Sequence, residues 1–136
     1  MPDVRRTFNL AVQRERLSIC QLGADQNVPD WADRGAFVSI TRTSEELSIV
    51  TSSTIVPAGV WRSDGWRALK AEGQFDFSQH GVLASVTAPL AQASIPILAA
   101  CTFNTDYVLV QDSNLDRAIR ALEGVGHRVV RATPES

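Results

Sequence analysis

The feature that most constrains the fold is a helix-like segment followed by two strand-like segments in the second half of the chain. Apolar residues recur at helical spacing between Val82 and Ala93, so one face of a helix there can be buried. Ile97 to Cys101 and Tyr107 to Val110 are short apolar runs that favour β-structure, and the five residues between them predict a hairpin. The start of the helix and the tip of the hairpin are therefore expected at one end of this unit.

The remaining elements follow from alternation, helical spacing and turn residues. A second helix is predicted with Leu115, Ala118, Ile119 and Leu122 on its buried face, Ser113 as its N-cap, and a stop at Gly124 and Gly126. A polar turn is predicted at Arg14–Arg16. The predicted strands outside the hairpin are Thr7–Val12, Leu17–Leu22, Phe37–Arg42, Leu47–Thr51, Trp66–Ala71 and His127–Arg131.

The order of these elements predicts an α+β fold with two related halves. From Trp66 onward the order is β-α-β-β-α-β, the ferredoxin-like arrangement, whereas the first half is rich in strands and poor in helix. Residues 46–50 and 106–110 show weak internal sequence similarity, because in both segments an acidic residue precedes a strand that ends in an aliphatic residue and valine. We therefore expect two domains, residues 1–60 and residues 61–136.

Composition excludes several classes of partner. The net charge of −2 gives no reason to expect nucleic acid or an anionic membrane as partner. No apolar run is long enough for a signal peptide or a membrane span, so a cytoplasmic protein is expected. Cys20 and Cys101 lie far apart, with no histidine at ligand spacing, which argues against a metal site and favours reduced thiols.

Catalysis has little support in the sequence. The chain has no G-x-S-x-G, P-loop or H-E-x-x-H motif, and no serine or cysteine lies near a histidine in a pattern typical of a nucleophile and its base. We therefore expect a protein that is not an enzyme and that uses no cofactor.

Three segments resemble the ACT-domain proteins. They are Phe77-Ser78-x-x-Gly81-Val82-Leu83-Ala84-Ser85, Ala88-Pro89-Leu90-Ala91 and Thr102-Phe103-x-Thr105-Asp106-Tyr107-x-Leu109-Val110, and the resemblance extends upstream through residues 38–50 and 66–69. The chain is similar to small bacterial tandem-ACT proteins related to aspartokinase regulatory domains and to CASTOR-type amino-acid sensors. The resemblance implies tandem ACT-like units, the first helix-poor and the second complete. It also implies a regulator or sensor that binds a small molecule, most often an amino acid, and that forms a homodimer. The alternative is a structural interaction module without a ligand.

The resemblance also implies a ligand site at the helix start and the hairpin tip. Its residues would be His80, Gly81 and Val82 together with Thr102, Phe103, Thr105 and Asp106. Backbone N–H groups at a helix start can hold a carboxylate, and the Asp106 carboxylate could hold an ammonium or guanidinium group.

Each of these residues also has a structural interpretation. Gly81 could serve packing or a positive φ, Asp106 and the threonines could stabilise the turn, and His80 could be an exposed loop residue. Gln79-His80 and Cys101 depart from the family pattern, so the ligand could differ from the usual one or binding could be lost.

Overall fold

The computed structural model describes residues 7–72 and 81–131. It contains seven strands and two α-helices among those residues, with short 3-10 turns at Asp30–Asp33 and Asp112–Asn114. No helix in these two ranges is long and apolar enough to cross a bilayer. The strands are β1 (Asn9–Leu22), β2 (Val38–Arg42), β3 (Leu47–Ser52), β4 (Arg62–Ala71), β5 (Ile97–Cys101), β6 (Asp106–Gln111) and β7 (Arg128–Arg131), and the helices are α1 (Val82–Gln92) and α2 (Leu115–Gly124).

The chain divides into two compact units. Residues 7–14, 67–72 and 81–131 form the first, here called the helical unit, and residues 15–66 form the second, here called the strand unit. The long strands β1 and β4 each contribute residues to both units. The division of the chain at residue 60 that the sequence suggests therefore stays a prediction.

In the helical unit the strand order is β7-β1-β4-β6-β5. From β4 to β7 the elements follow the predicted order β-α-β-β-α-β. The last strand, however, pairs in parallel with the first strand of the chain, Asn9 opposite Arg128, so β1 lies between β7 and β4. The apolar faces of α1 and α2 form one core with strands β1, β4 and β6.

The strand unit has no α-helix among its residues. Its strands lie in the order β2-β3-β1-β4, and its core contains Cys20, Leu47 and Ile49. Trp31, within the first 3-10 turn, packs against this core.

Three local predictions are wrong. The expected turn at Arg14–Arg16 is absent, because β1 runs without a break from Asn9 to Leu22. Side chains there alternate between half-buried and exposed positions, as they do in a strand. This polar run contains no glycine or proline to end the strand, so β1 continues through it. Strand β4 begins at Arg62, earlier than expected. Ser113 is not the N-cap of α2, because it lies in a 3-10 turn and the cap position is Asn114, without a side-chain hydrogen bond.

The buried face of α1 is the predicted one, since Val82, Val86 and Leu90 are buried. The helix contains Pro89, which has no N–H to donate to the carbonyl four residues earlier. That carbonyl belongs to Ser85, and Nε2 of the buried His127 lies 2.8 Å from it. A histidine from the loop before β7 therefore replaces the hydrogen bond that the proline removes.

Candidate functional site

The first part of the site predicted from sequence is the start of α1. Gly81 occupies the N-cap position with φ 77°, in the left-handed region that favours glycine, and a Cβ there would have no neighbour within 4 Å among the described atoms. Its carbonyl accepts the N–H of Ser85, and within residues 7–72 and 81–131 no side chain caps the helix. Val82 follows with its side chain buried. Among the described residues no side chain covers the backbone at this helix start, and His80 lies outside them.

The second part is the tip of the β5–β6 hairpin, where both threonines are engaged locally. The N–H and the hydroxyl of Thr102 both donate to the carbonyl of Thr105, at 2.8 and 3.1 Å, and the N–H of Thr105 donates back to Thr102 Oγ1 at 3.2 Å. The hydroxyl of Thr105 donates to the carbonyl of Ala71, at the end of β4. Phe103 is 76% exposed. These hydrogen bonds join the two threonines to each other and to β4, and none of them reaches Gly81 or Val82.

Asp106 begins β6 directly opposite Cys101, the last residue of β5. Desolvation of the sulfur and a hydrogen bond to the Asp106 carboxylate raise the pKa of the Cys101 thiol to about 11. The carboxylate is half-buried, so it remains within reach of a solute. A ligand cation at Asp106 would therefore share that carboxylate with a neutral thiol.

The raised pKa leads to a prediction about reactivity. At pH 8 the thiolate fraction of Cys101 should be about a hundredfold smaller than that of an ordinary cysteine thiol. Asp106→Asn removes the carboxylate, so the pKa should fall and alkylation of the exposed Cys101 by iodoacetamide should become several-fold faster. Mass spectrometry of the Cys101 peptide measures this rate, with the buried Cys20 as a slow internal reference. Equal rates in parent and variant would show that Asp106 does not perturb the thiol.

The hairpin of the strand unit is closed by the same turn as the hairpin of the helical unit. The N–H of Thr43 donates to the carbonyl of Glu46 at 2.9 Å, and the N–H of Glu46 donates to Thr43 Oγ1 at 3.2 Å. These bonds match those between Thr102 and Thr105. Glu46 therefore corresponds to Thr105 in the structure, whereas the internal similarity in the sequence aligns Glu46 with Asp106. The two alignments differ by one residue, and a shift of one residue in a strand moves each side chain to the other face of the sheet.

A pocket of about 360 Å³ lies in the strand unit, which sequence reasoning did not identify as a site. It lies where the end of β1 meets the starts of β3 and β4. Gln21 is opposite Ser48 in the β1–β3 ladder, and its N–H donates to the carbonyl of Trp61 at 3.0 Å. Six of its lining residues are Ile19, Gln21, Glu46, Ser48, Trp61 and Ser63.

The second charged residue of the pocket lining, Arg62, is already paired. Its Nε lies 3.1 Å from the Asp64 carboxylate, and its Nη1 donates to the carbonyl of Pro57 at 2.8 Å. A hydrogen bond from the Ser18 hydroxyl, helped by Arg62, lowers the pKa of the Asp64 carboxyl. Glu46 has no side-chain partner in the described part of the chain. Within residues 7–72 and 81–131, no group of three or more acidic, cysteine or histidine side chains could hold a metal ion.

Comparison with known families divides the chain into two matched segments. The family model of the ACT domain matches residues 62–124, which include α1, α2 and the β5–β6 hairpin. A second family model, for an N-terminal domain, matches residues 15–59.

Solved structures resemble the chain over nearly its whole length. A protein from Agrobacterium tumefaciens is 34% identical, with a TM-score of 0.90 over 96% of this chain and 98% of that one. A Vibrio cholerae protein, described as of unknown function and a possible transport protein, is 16% identical, with a TM-score of 0.71 over 90% and 91% of the two chains. The ligand-free regulatory subunit of aspartate kinase from Thermus thermophilus is 15% identical, with a TM-score of 0.62 over 85% and 95%. The last two similarities concern the fold alone.

Proposed function

Because the chain belongs to the ACT-domain proteins, we propose that it is a non-enzymatic regulator or sensor that binds a small molecule, most simply a free amino acid. The observation that carries the proposal is the helix start at Gly81, which no side chain of the described residues caps and which lies inside the segment that matches the ACT domain. The likeness to a regulatory subunit of aspartate kinase supports a regulatory role. The shared threonine turn of the two hairpins supports two related units, the second ferredoxin-like in its element order.

The proposed site binds the two ends of an amino acid with different groups. The first N–H groups of α1 have no partner inside the helix and lie at the positive end of its dipole, so they suit the ligand carboxylate. Asp106 would bind the ammonium group or a cationic side chain. Thr102 and Thr105 hold the tip in shape through the turn, Phe103 offers an exposed aromatic surface, and Val82 and His80 would flank the helix start.

The alternative is an interaction module without a ligand, and the exposed Phe103 at the hairpin tip is the observation that favours it. A thermal-shift screen against the twenty amino acids separates the two, because a ligand that binds only the folded state raises the melting temperature. A binder responds to one or a few amino acids. A module without a ligand responds to none.

The substitution Asp106→Asn tests whether the Asp106 carboxylate binds the cationic group of the ligand. It keeps the shape of the side chain and removes its charge, and a charge-assisted hydrogen bond contributes about 1.5–3 kcal/mol, so affinity should fall roughly ten- to a hundredfold. The free energy of unfolding should change little, because the hydrogen bonds that close the turn come from the two threonines. Titration calorimetry with an amino acid that passes the screen measures the affinity.

The control is Asp33→Asn, which changes the net charge equally in an exposed residue of the other unit. It should leave the affinity unchanged. If Asp106→Asn also leaves the ligand affinity unchanged but lowers the free energy of unfolding, Asp106 stabilises the turn and does not bind the ligand.

We further propose a homodimer, because β5 and β7 end the sheet of the helical unit and unpaired strand edges favour association. The two free cysteines of the chain are consistent with the reducing environment of the cytoplasm, which we propose as its location.

A further inference from the structure

The pocket of the strand unit contains one charge that nothing described in the protein neutralises. Glu46 is only half-buried and its carboxylate has no hydrogen-bond or ion-pair partner among the described residues, whereas Arg62 is paired with Asp64. The other polar side chains of the lining, Gln21, Ser48 and Ser63, are neutral. The unpaired charge of the pocket is therefore negative, and it favours a cationic ligand.

The second feature is an aromatic surface beside that charge. Trp61 is 78% exposed, although a large apolar side chain usually loses far more of its surface on folding. Its backbone is fixed by the N–H of Gln21, and no side-chain hydrogen bond is described for its indole. Ile19 adds an apolar contact in the same lining. An indole face is the best aromatic partner for an organic cation.

We propose that this pocket is a recognition site for a guanidinium group, carried either by a free small molecule or by an arginyl side chain. A guanidinium is planar, so it stacks on an indole and still presents two N–H groups to one carboxylate. It is also less strongly hydrated than an ammonium, so a shallow site removes its water at a smaller cost. The volume of about 360 Å³ is at the small end of the range for ligand pockets and suits one such group with its aliphatic chain.

The site is separate from the one proposed at Gly81 and Asp106. All its residues belong to the strand unit, whereas Gly81 and Asp106 belong to the helical unit. The proposal therefore goes beyond the amino-acid binding proposed above and does not depend on it. Variants in the two units distinguish the two sites.

The test is titration of the full chain with L-arginine, monitored by calorimetry and by the indole N–H signals of the three tryptophans in nitrogen-edited NMR spectra. L-Citrulline is the matched probe, because it has nearly the same shape without the charge. Agmatine and N-acetyl-L-argininamide carry the guanidinium without the free carboxylate. The expected result is that L-arginine, agmatine and N-acetyl-L-argininamide bind with similar affinity and shift the Trp61 signal, while L-citrulline does neither. Retained binding of the acetylated amide would place an arginyl side chain among the ligands, and its loss with retained agmatine binding would restrict the site to free small molecules.

Two variants assign the binding to this pocket. Glu46→Gln should weaken L-arginine binding roughly ten- to a hundredfold, whereas Glu45→Gln, the same charge change at an exposed neighbour outside the lining, should have no effect. Trp61→Phe should weaken binding a few-fold and identifies the Trp61 signal. Equal binding of L-arginine and L-citrulline, no binding of any guanidinium probe, or loss of binding in Asp106→Asn but not in Glu46→Gln would overturn the proposal.

Discussion

Replacement of Arg67 by alanine is expected to lower the free energy of unfolding by about 2–5 kcal/mol, because it removes a fully buried side chain and its hydrogen bonds and leaves a cavity. The side chain of Arg67 is 2% exposed. Its Nη1 donates to Asp112 Oδ1 at 3.2 Å, and its Nη2 donates to the carbonyl of Gln13 at 3.0 Å. One guanidinium thus joins β1, β4 and the turn that leads into α2. Its loss leaves the Gln13 carbonyl without this donor and creates a cavity in the helical unit.

Two further variants separate charge from packing. Arg67→Met keeps most of the volume and removes the charge, so it should cost less than Arg67→Ala. Asp112→Ala leaves the guanidinium buried with the Gln13 carbonyl as its remaining described acceptor. Because Asp112 is 39% exposed, water can replace part of its contact, and the cost should lie between those of the two arginine variants.

Urea unfolding of the parent and the three variants measures these differences, provided that the slopes with denaturant agree. If Arg67→Met is as stable as the parent while Arg67→Ala is not, the side chain contributes by packing alone. If all three variants match the parent, Arg67 does not hold these elements together.

The sequence predicted the helical unit well because its signals are local. The buried face of α2 and the strands of the β5–β6 hairpin follow from the spacing of apolar residues, and they lie close to the predicted positions. Local patterns, in contrast, do not specify partners distant in sequence. The pairing of β7 with β1 joins residues more than a hundred positions apart, and nothing near Asn9 or Arg128 indicates it.

For the candidate sites, too, the sequence indicates individual residues but not their contacts with other parts of the chain. Gly81 and Asp106 were singled out from a motif, and the sequence could not show that the neighbouring threonines are engaged in the turn. The pocket beside Trp61 depends on the register of three strands, which alternation alone leaves open by one residue. Its available sequence signal was a tryptophan next to a connection rich in glycine and proline, and such a residue more often packs on a core.

His127 was predicted only as the first residue of a strand, yet it connects three parts of the helical unit. Its ring is buried and stacks against Phe8 at a centroid distance of 6.1 Å. The N–H of Phe8 donates to Nδ1 at 3.0 Å, which makes Nδ1 an acceptor and leaves the proton of the neutral ring on Nε2. Nε2 can then donate to the carbonyl of Ser85. Nitrogen chemical shifts of the ring should therefore report the Nε2–H tautomer.

The same hydrogen bond explains why a proline is accepted inside α1. The carbonyl of Ser85 would normally accept an N–H from position 89, and Pro89 has none. An unpaired buried carbonyl costs about 1–3 kcal/mol, and the part-buried N–H of Phe8 would also lose its bond to Nδ1. Substitution His127→Phe keeps the aromatic ring and removes both partners. It is therefore expected to lower the free energy of unfolding by about 2–5 kcal/mol.

A double-mutant cycle with Pro89→Ala tests this coupling. Alanine restores an N–H that can donate to Ser85 within the helix, so His127→Phe should cost about 1–2 kcal/mol less in the Pro89→Ala background than in the parent. The cost that remains should reflect the N–H of Phe8, which Pro89→Ala does not satisfy. Urea unfolding of the four proteins gives the interaction energy. Costs that add within about 0.5 kcal/mol would show that His127 does not substitute for the missing helix bond, and that α1 accommodates Pro89 in another way.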